Sequence, residues 1–399
     1  MNARVSGWAV ALAMTAAATA PAGAAPQTFS LAAMNGIVQL SDAAISPDGA
    51  RIAFVSETAV LDDNSYRDRL WAYDLRAGRL RLIGAPRASY ATPTWSPDGR
   101  RLAVVASDPA THADQLFVVP AAGGALHRVT AGKSDVVDFA WRPDGRAIAF
   151  VRRDDPRVLR GAAAYDDAFE VTDNDYLATE AARPRRLWLA DLQTGRDRLL
   201  THGTWSVADD AISWTPDGRE LSYMRVPSAV HGIADRSAAY ALDAVSLTSR
   251  PLTPHAAYED QALFSPVGSR VLYLYPRDGD YPNALTAMTV SSAASADDRD
   301  ETRALDRHVE TAGWMPGGRS LLLKIYDTAS SPLYVQPLDG PARALPMGDV
   351  ADAQIGTAQS VARDGTVAFV GTQRSRPNEL YVLPRGADRP QRLTDFNAA

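Results

Sequence analysis

Seven times the chain returns to one turn string followed by an apolar run. The copies are Ile45-Ser46-Pro47-Asp48-Gly49, Trp95-Ser96-Pro97-Asp98-Gly99, Trp141-Arg142-Pro143-Asp144-Gly145, Trp214-Thr215-Pro216-Asp217-Gly218, Phe264-Ser265-Pro266-Val267-Gly268, Trp314-Met315-Pro316-Gly317-Gly318 and Val361-Ala362-Arg363-Asp364-Gly365. In such a turn Pro presets φ, Asp bonds the local backbone and Gly takes the positive φ that ends it. A β-rich run follows each time, as in Ile52-Ala53-Phe54-Val55, Leu102-Ala103-Val104-Val105 and Val367-Ala368-Phe369-Val370. A second run and a Gly-containing turn complete the unit, as in Leu70-Trp71-Ala72-Tyr73-Asp74 before Gly78. Units of this size cannot bury both of their faces alone, so neighbours must stack. The repeat therefore predicts an all-β chain, a seven-bladed β-propeller of four-stranded antiparallel blades. Each repeat supplies a whole blade, so the first and last blades should meet by side-chain packing with no shared strand.

The turn glycines are spaced by 50, 46, 73, 50, 50 and 47 residues. The long interval belongs to blade three and places an insertion between the strands at Ile148 and Leu187. In a four-stranded blade the first and third turns lie at one end, and the second loop and inter-blade connector at the other. The insertion thus joins the connectors on the face opposite the Pro-Asp-Gly turns, where a ligand or docked domain is expected. Residues 41–397 form the propeller, and residues 25–40 a lead-in. Phe29 to Ile37 is expected to form a short helix at the ring's edge.

Arg4, an apolar stretch from Trp8 to about Ala20 and small residues up to Ala24 read as a signal peptide over residues 1–24, cleaved after Ala24. The mature chain is expected to be periplasmic or secreted, with no membrane span. There are no cysteines, which removes disulfides, thiolate metal sites and a lipid-anchored leader. A formal net charge of −6 argues against a nucleic-acid partner.

The inventory of chemistry is short. No Gly-x-Ser-x-Gly elbow occurs, and Gly203-Thr204-Trp205-Ser206-Val207 has the wrong spacing. The six histidines never approach a metal-ligand spacing, no phosphate-cradling loop is present, and no metal or cofactor is expected. The candidate binding residues are those of the blade-three insertion: Asp166, Asp167, Glu170, Asp173, Asp175 and Glu180, interleaved with Tyr165, Phe169 and Tyr176. Such a group suits a cation like a peptide amino terminus; the alternative is a solvated acidic loop. Calcium at Asp173-Asn174-Asp175 lacks the accompanying Gly of calcium loops. The tryptophans at 95, 141, 214 and 314 offer a carbohydrate platform or blade-to-blade packing, and their fixed place in the repeat favours packing.

The Trp-Ser-Pro-Asp-Gly-Arg-x-Leu-Ala units, the strand Leu187 to Gly195, and the closing Arg376-Pro377-Asn378-Glu379-Leu380-Tyr381-Val382-Leu383 with Arg392-Leu393-Thr394-Asp395-Phe396-Asn397 resemble the propeller domain of the prolyl oligopeptidase (S9) family. More narrowly the chain looks like exported bacterial dipeptidyl or acylaminoacyl peptidases. The resemblance implies a propeller that gates or binds peptide substrates for an α/β-hydrolase domain bearing the catalytic Ser, Asp and His. These 399 residues carry no such domain, so no catalytic residue is assigned. The dipeptidyl type holds the substrate amine with a glutamate pair on a propeller insertion. There is no adjacent Glu-Glu here, and the resemblance implies that role only for Glu170 and Glu180. The Pro-Asp-Gly repeats are shared by TolB-type propellers, which leaves a self-standing periplasmic scaffold for a protein partner as the alternative. An enzyme active at the central funnel is a third reading.

Overall fold

The computed structural model describes residues 30–156, 160–165, 168, 169, 171, 178–208, 211–230, 236–279, 284–327, 331–353 and 360–398. The chain divides at Gly36 into two units. In the first, Leu31–Asn35 forms a helix shorter than the sequence suggests, with Ser30 Oγ accepting the Ala33 N–H at 3.1 Å. The second, from Ile37 onward, is a seven-bladed β-propeller.

Blade one shows the plan. Strands Gln39–Ile45, Arg51–Val60, Ser65–Asp74 and Arg79–Arg87 pair antiparallel in chain order. The second strand of each blade has neighbouring blades against both faces, so it reads as a continuous apolar run. Ile52 to Val55, Leu102 to Ala106 and Ala147 to Val151 are all buried. The core accordingly lies between blades: Val55 and Leu70 of blade one pack with Trp95, Leu102 and Val104 of blade two.

The turn string does what its chemistry dictates. Ser46 Oγ donates to Asp48 Oδ1 at 2.6 Å and accepts the Arg51 N–H at 2.9 Å, while Gly49 sits at φ +69°. Ser96 with Asp98 and Thr215 with Asp217 repeat the bond. Those hydroxyls hold the carboxyls of Asp48, Asp98 and Asp217 below their ordinary value. Blade three, where Arg142 replaces the hydroxyl, pairs its guanidinium with Asp144 at 2.7 Å.

The tryptophans before the turns are blade-to-blade residues. The indole N–H of Trp95 donates to Ala44 O (2.9 Å), that of Trp141 to Thr94 O (3.0 Å), that of Trp214 to Ala140 O (3.2 Å) and that of Trp314 to Leu263 O (2.9 Å). Each acceptor belongs to the inner strand of the preceding blade. In blades five and one, which lack the tryptophan, a serine of the preceding blade takes over: Ser213 Oγ accepts the Phe264 N–H and Ser360 Oγ the Ile45 N–H.

Among the described residues, blades one and seven are separate sheets with no strand in common. Ile52 and Phe54 pack against Ala368, Val370 and Leu380, and Phe396 sets its ring edge-on to Trp71 at 5.5 Å.

Candidate functional site

Of the six carboxylates expected to bind, Asp166, Asp167, Glu170, Asp173 and Asp175 lie outside the described residues. Glu180 is described. Its side chain is 56% exposed and bonds Arg183 Nη2 at 2.8 Å, so its charge is already matched. Arg183 in turn donates to Ser134 Oγ and to the carbonyl of Asp154, tying the returning end of the insertion to its outgoing root.

The roots are stiffened by guanidinium groups. Arg152 and Arg186 are opposite residues of the second and third strands of blade three. Arg186 donates to the carbonyls of Trp205 and Gly203 (2.6 Å each) and to Asp154 Oδ2. Arg152 lies over the Trp188 ring at 4.5 Å, and Arg225 over that of Trp205 at the same distance. Gly203 and Trp205 belong to the connector into blade four, so the insertion stands at the connector end of its blade, as the strand count requires.

The opposite end carries a mouth of the central channel, about 730 Å³, rimmed by Pro47, Pro93, Trp95, Pro266, Trp314 and Arg363. Proline and tryptophan make this rim rigid and apolar, and Arg363 supplies positive charge. Arg363 also straps three blades, its N–H bonding Pro47 O at 3.2 Å and its Nη2 bonding Pro97 O at 2.5 Å. Asp42 lines the same space at a bulge of the inner strand, with φ +55°. Burial raises its carboxyl, although Ser41 and the backbone of Thr92 bond it. The Asp42–Thr92 bond joins blades one and two. Asp138 and Gln261 make similar bridges to Ile212 N and Ala312 O of the blades that follow them.

Two polar clusters escape sequence reasoning because their members lie far apart. His255, on the connector after blade four, meets Asp298 at 3.2 Å, and Tyr273 OH donates to the same carboxylate oxygen at 3.1 Å. Lys324, 1% exposed, pairs with Glu310 at 3.4 Å in blade six. Among the described residues, no group of three or more His, Asp or Glu is placed to hold a metal ion. No described helix is long and apolar enough to cross a membrane.

The closing string of the sequence builds the seam of the ring. Asn397 Oδ1 accepts the Val38 N–H at 2.8 Å, and its Nδ2 donates to Val38 O at 3.0 Å and Asn378 O at 3.1 Å. Asn378 Nδ2 reaches Leu40 O at 3.1 Å. Beneath them Glu379 is buried, accepting from Thr394 Oγ1 (2.5 Å) and from the Asn397 N–H (2.8 Å). The Asn397 amide thus pairs with the backbone of blade one as a neighbouring strand would.

A family model described as a TolB β-propeller domain matches residues 32–182. The matched stretch is of the TolB propeller type, and the fold of the whole chain is a seven-bladed β-propeller. Within this class it is similar to peptidase propellers. The uncharacterized peptidase YuxL of Bacillus subtilis is 33% identical over 70 residues, 18% of this chain and 11% of that protein. The propeller domain of the Trilobed protease from Pyrococcus furiosus, described there as an open velcro topology, superposes with a TM-score of 0.64 at 17% identity, covering 90% of this chain and 96% of that one. Pyrococcus horikoshii acylaminoacyl peptidase gives 0.70 at 17% identity, covering 91% of this chain and 53% of that one. The chain spans about half the length of that peptidase, and at these identities the likeness is one of fold.

Proposed function

We propose that this chain is the non-catalytic propeller of an exported serine-peptidase-like protein of the prolyl oligopeptidase type, admitting and holding short peptides for a hydrolase domain. One observation carries the reading: Val38 and Asn397 are hydrogen-bonded to each other, so the two ends of the propeller leave side by side on one face. A domain joined to either end starts from that face, which is also the connector end from which the blade-three insertion departs. The acidic composition of that insertion, Asp166, Asp167, Glu170, Asp173, Asp175 and Glu180 in sequence, suits a peptide's amino end. Peptides would enter from the Pro-Asp-Gly end, where a mouth of about 730 Å³ accepts an extended chain and its rigid rim excludes a folded one. Export rests on the leader over residues 1–24.

Trp95 and Trp314 stand at the mouth and provide the readout. Short peptides should quench the fluorescence of the purified chain while a folded protein of similar charge leaves it unchanged, and aminoacyl-nitroanilides should remain intact. Hydrolysis by this chain alone, or equal quenching by folded proteins, sinks the reading. The match to the TolB model favours one other role, a self-standing scaffold for a protein partner. That role predicts a stoichiometric complex with a periplasmic protein and no response to short peptides.

A further inference from the structure

The fourth strand of a blade is the edge of its sheet, and in this ring most edges are too short to pair with anything. They are His127–Arg128, Arg196–Leu199, Ser249–Pro251, Arg343–Ala344 and Gln391–Arg392. Two are long. Ala294–Asp300 in blade five contains Asp297, Asp298 and Asp300, the kind of charge that keeps an edge from pairing. Arg79–Arg87 in blade one spans nine residues, and its first five, Arg79 to Ile83, pair in unbroken register ahead of the irregularity that contains Pro86; they include no acidic residue and leave Leu80 and Leu82 39% and 41% exposed.

The two faces of this edge differ. Arg81 donates to the carbonyls of Ala121 and Ala122, and Ile83 is buried, so this side looks toward blade two. Leu80 and Leu82 point the other way, opposite Tyr73 and Trp71 in register. Trp71 meets Phe396 of blade seven, so the apolar strip runs on toward the seam. Arg81 gives its hydrogen bonds to carbonyl oxygens only, and the exposed Arg79 beside it, which faces Asp74 in register, adds a second positive charge to this stretch of the edge.

An unpaired backbone edge recruits a strand, and its side chains choose which one. We propose that the outer edge of blade one binds an extended peptide segment whose side chains alternate between acidic and apolar, adding a fifth strand to the blade. The acidic residues lie along the Arg79 and Arg81 side and the apolar ones along Leu80 and Leu82. Identical strands from two copies would bring the same set of arginines together, which disfavours a second copy as the occupant. The site is on the rim and does not rest on the channel reading.

The probe is a labelled peptide alternating Glu and Val, followed by fluorescence anisotropy against the full chain. It should bind, lose affinity at high salt, and bind more than about tenfold tighter than the same peptide with Lys in place of Glu. A central Pro in the peptide should abolish binding, because it cannot donate to the ladder. The Arg79→Glu/Leu82→Glu variant alters exposed positions only and should weaken binding more than about tenfold while the chain stays folded, with a small fall in melting temperature because Arg79 faces Asp74 in register. If that variant misfolds, Arg79→Glu alone carries the same expectation at smaller amplitude. No binding by the wild type, equal binding of the Lys peptide, or unchanged binding by the folded variant overturns the proposal. So does self-association of the wild type that the variant abolishes, since a second copy would then be the occupant.

Discussion

Truncating Asn397 to Ala should loosen the ring at one place only. The amide makes three hydrogen bonds, two to the backbone of Val38 and one to the carbonyl of Asn378. At roughly 1 kcal/mol net for each in a part-buried setting, the loss is about 3 kcal/mol, less whatever water recovers. The backbone N–H of Asn397 still reaches Glu379, so the segment stays docked and the effect belongs to the side chain. Urea unfolding should show a lower midpoint at an unchanged slope, the sign of a stability change without a change in buried surface. Hydrogen exchange should locate it: amides of Val38 to Ser41 and of residues 378–380 should exchange faster while blades three to five do not change. Asn378→Ala is the graded control. It removes one bond, to Leu40 O, but also a buried carbonyl oxygen with no partner, so its cost should stay below about 1 kcal/mol. Equal effects for the two variants, or an Asn397→Ala protein with wild-type midpoint and exchange, would show that the seam is held by apolar packing alone and refute the reasoning.

Two further perturbations test buried charge. Burial pushes the Glu259 carboxyl up from 4.5 to about 7, so the folded state binds a proton that the unfolded state has released. Stability should therefore fall as pH rises from about 4.5 to 7, by on the order of 3 kcal/mol, and Glu259→Gln should flatten that slope in pH-dependent urea titrations. Lys324→Met should cost about 3–5 kcal/mol by leaving the buried Glu310 without its ammonium partner, and Lys324→Met/Glu310→Leu should recover most of it in thermal unfolding.

The fold was legible because each repeat is determined by contacts within a few residues. The Ser46–Asp48 bond and the positive φ of Gly49 are local, so the string that encodes them can be read anywhere it recurs. Trp95 and its counterparts could be assigned to packing because they hold a fixed place in the repeat, and their bonds to the preceding blade bear that out. Long-range pairings left no such trace. Asp138 and Ile212, or His255 and Asp298, meet only after the ring has formed, and nothing in their local sequence marks them as partners. Glu180 illustrates the limit of composition: within an acidic string it counts as one more carboxylate, whereas in the fold it is paired with Arg183. The extended hairpin of blade one was hidden for another reason. Its strands Arg51–Val60 and Ser65–Asp74 lengthen a blade whose total repeat is still 50 residues.

The closing string and the Pro-Asp-Gly turns do different physical work, and the seam shows why. Junctions between consecutive blades have the covalent connector to hold them, so their residues need only satisfy a general rule: an indole reaching back to the preceding inner strand, or a serine on that strand accepting from the blade that follows. The junction of blades seven and one has no connector. Residues at the two ends of the propeller must find each other across the full length of the chain, and they do so with a fixed set: Asn378, Glu379, Thr394 and Asn397 against Val38 and Leu40. Exchanging a member of that set cannot be absorbed by a neighbour, because Glu379 is buried beneath both Thr394 and Asn397 and depends on both for its hydrogen bonds. Residues that make a unique junction are constrained in identity and spacing at once, whereas residues of a repeated junction are constrained only in kind. This makes the closing string the more informative stretch of the sequence, although it forms only one of seven interfaces.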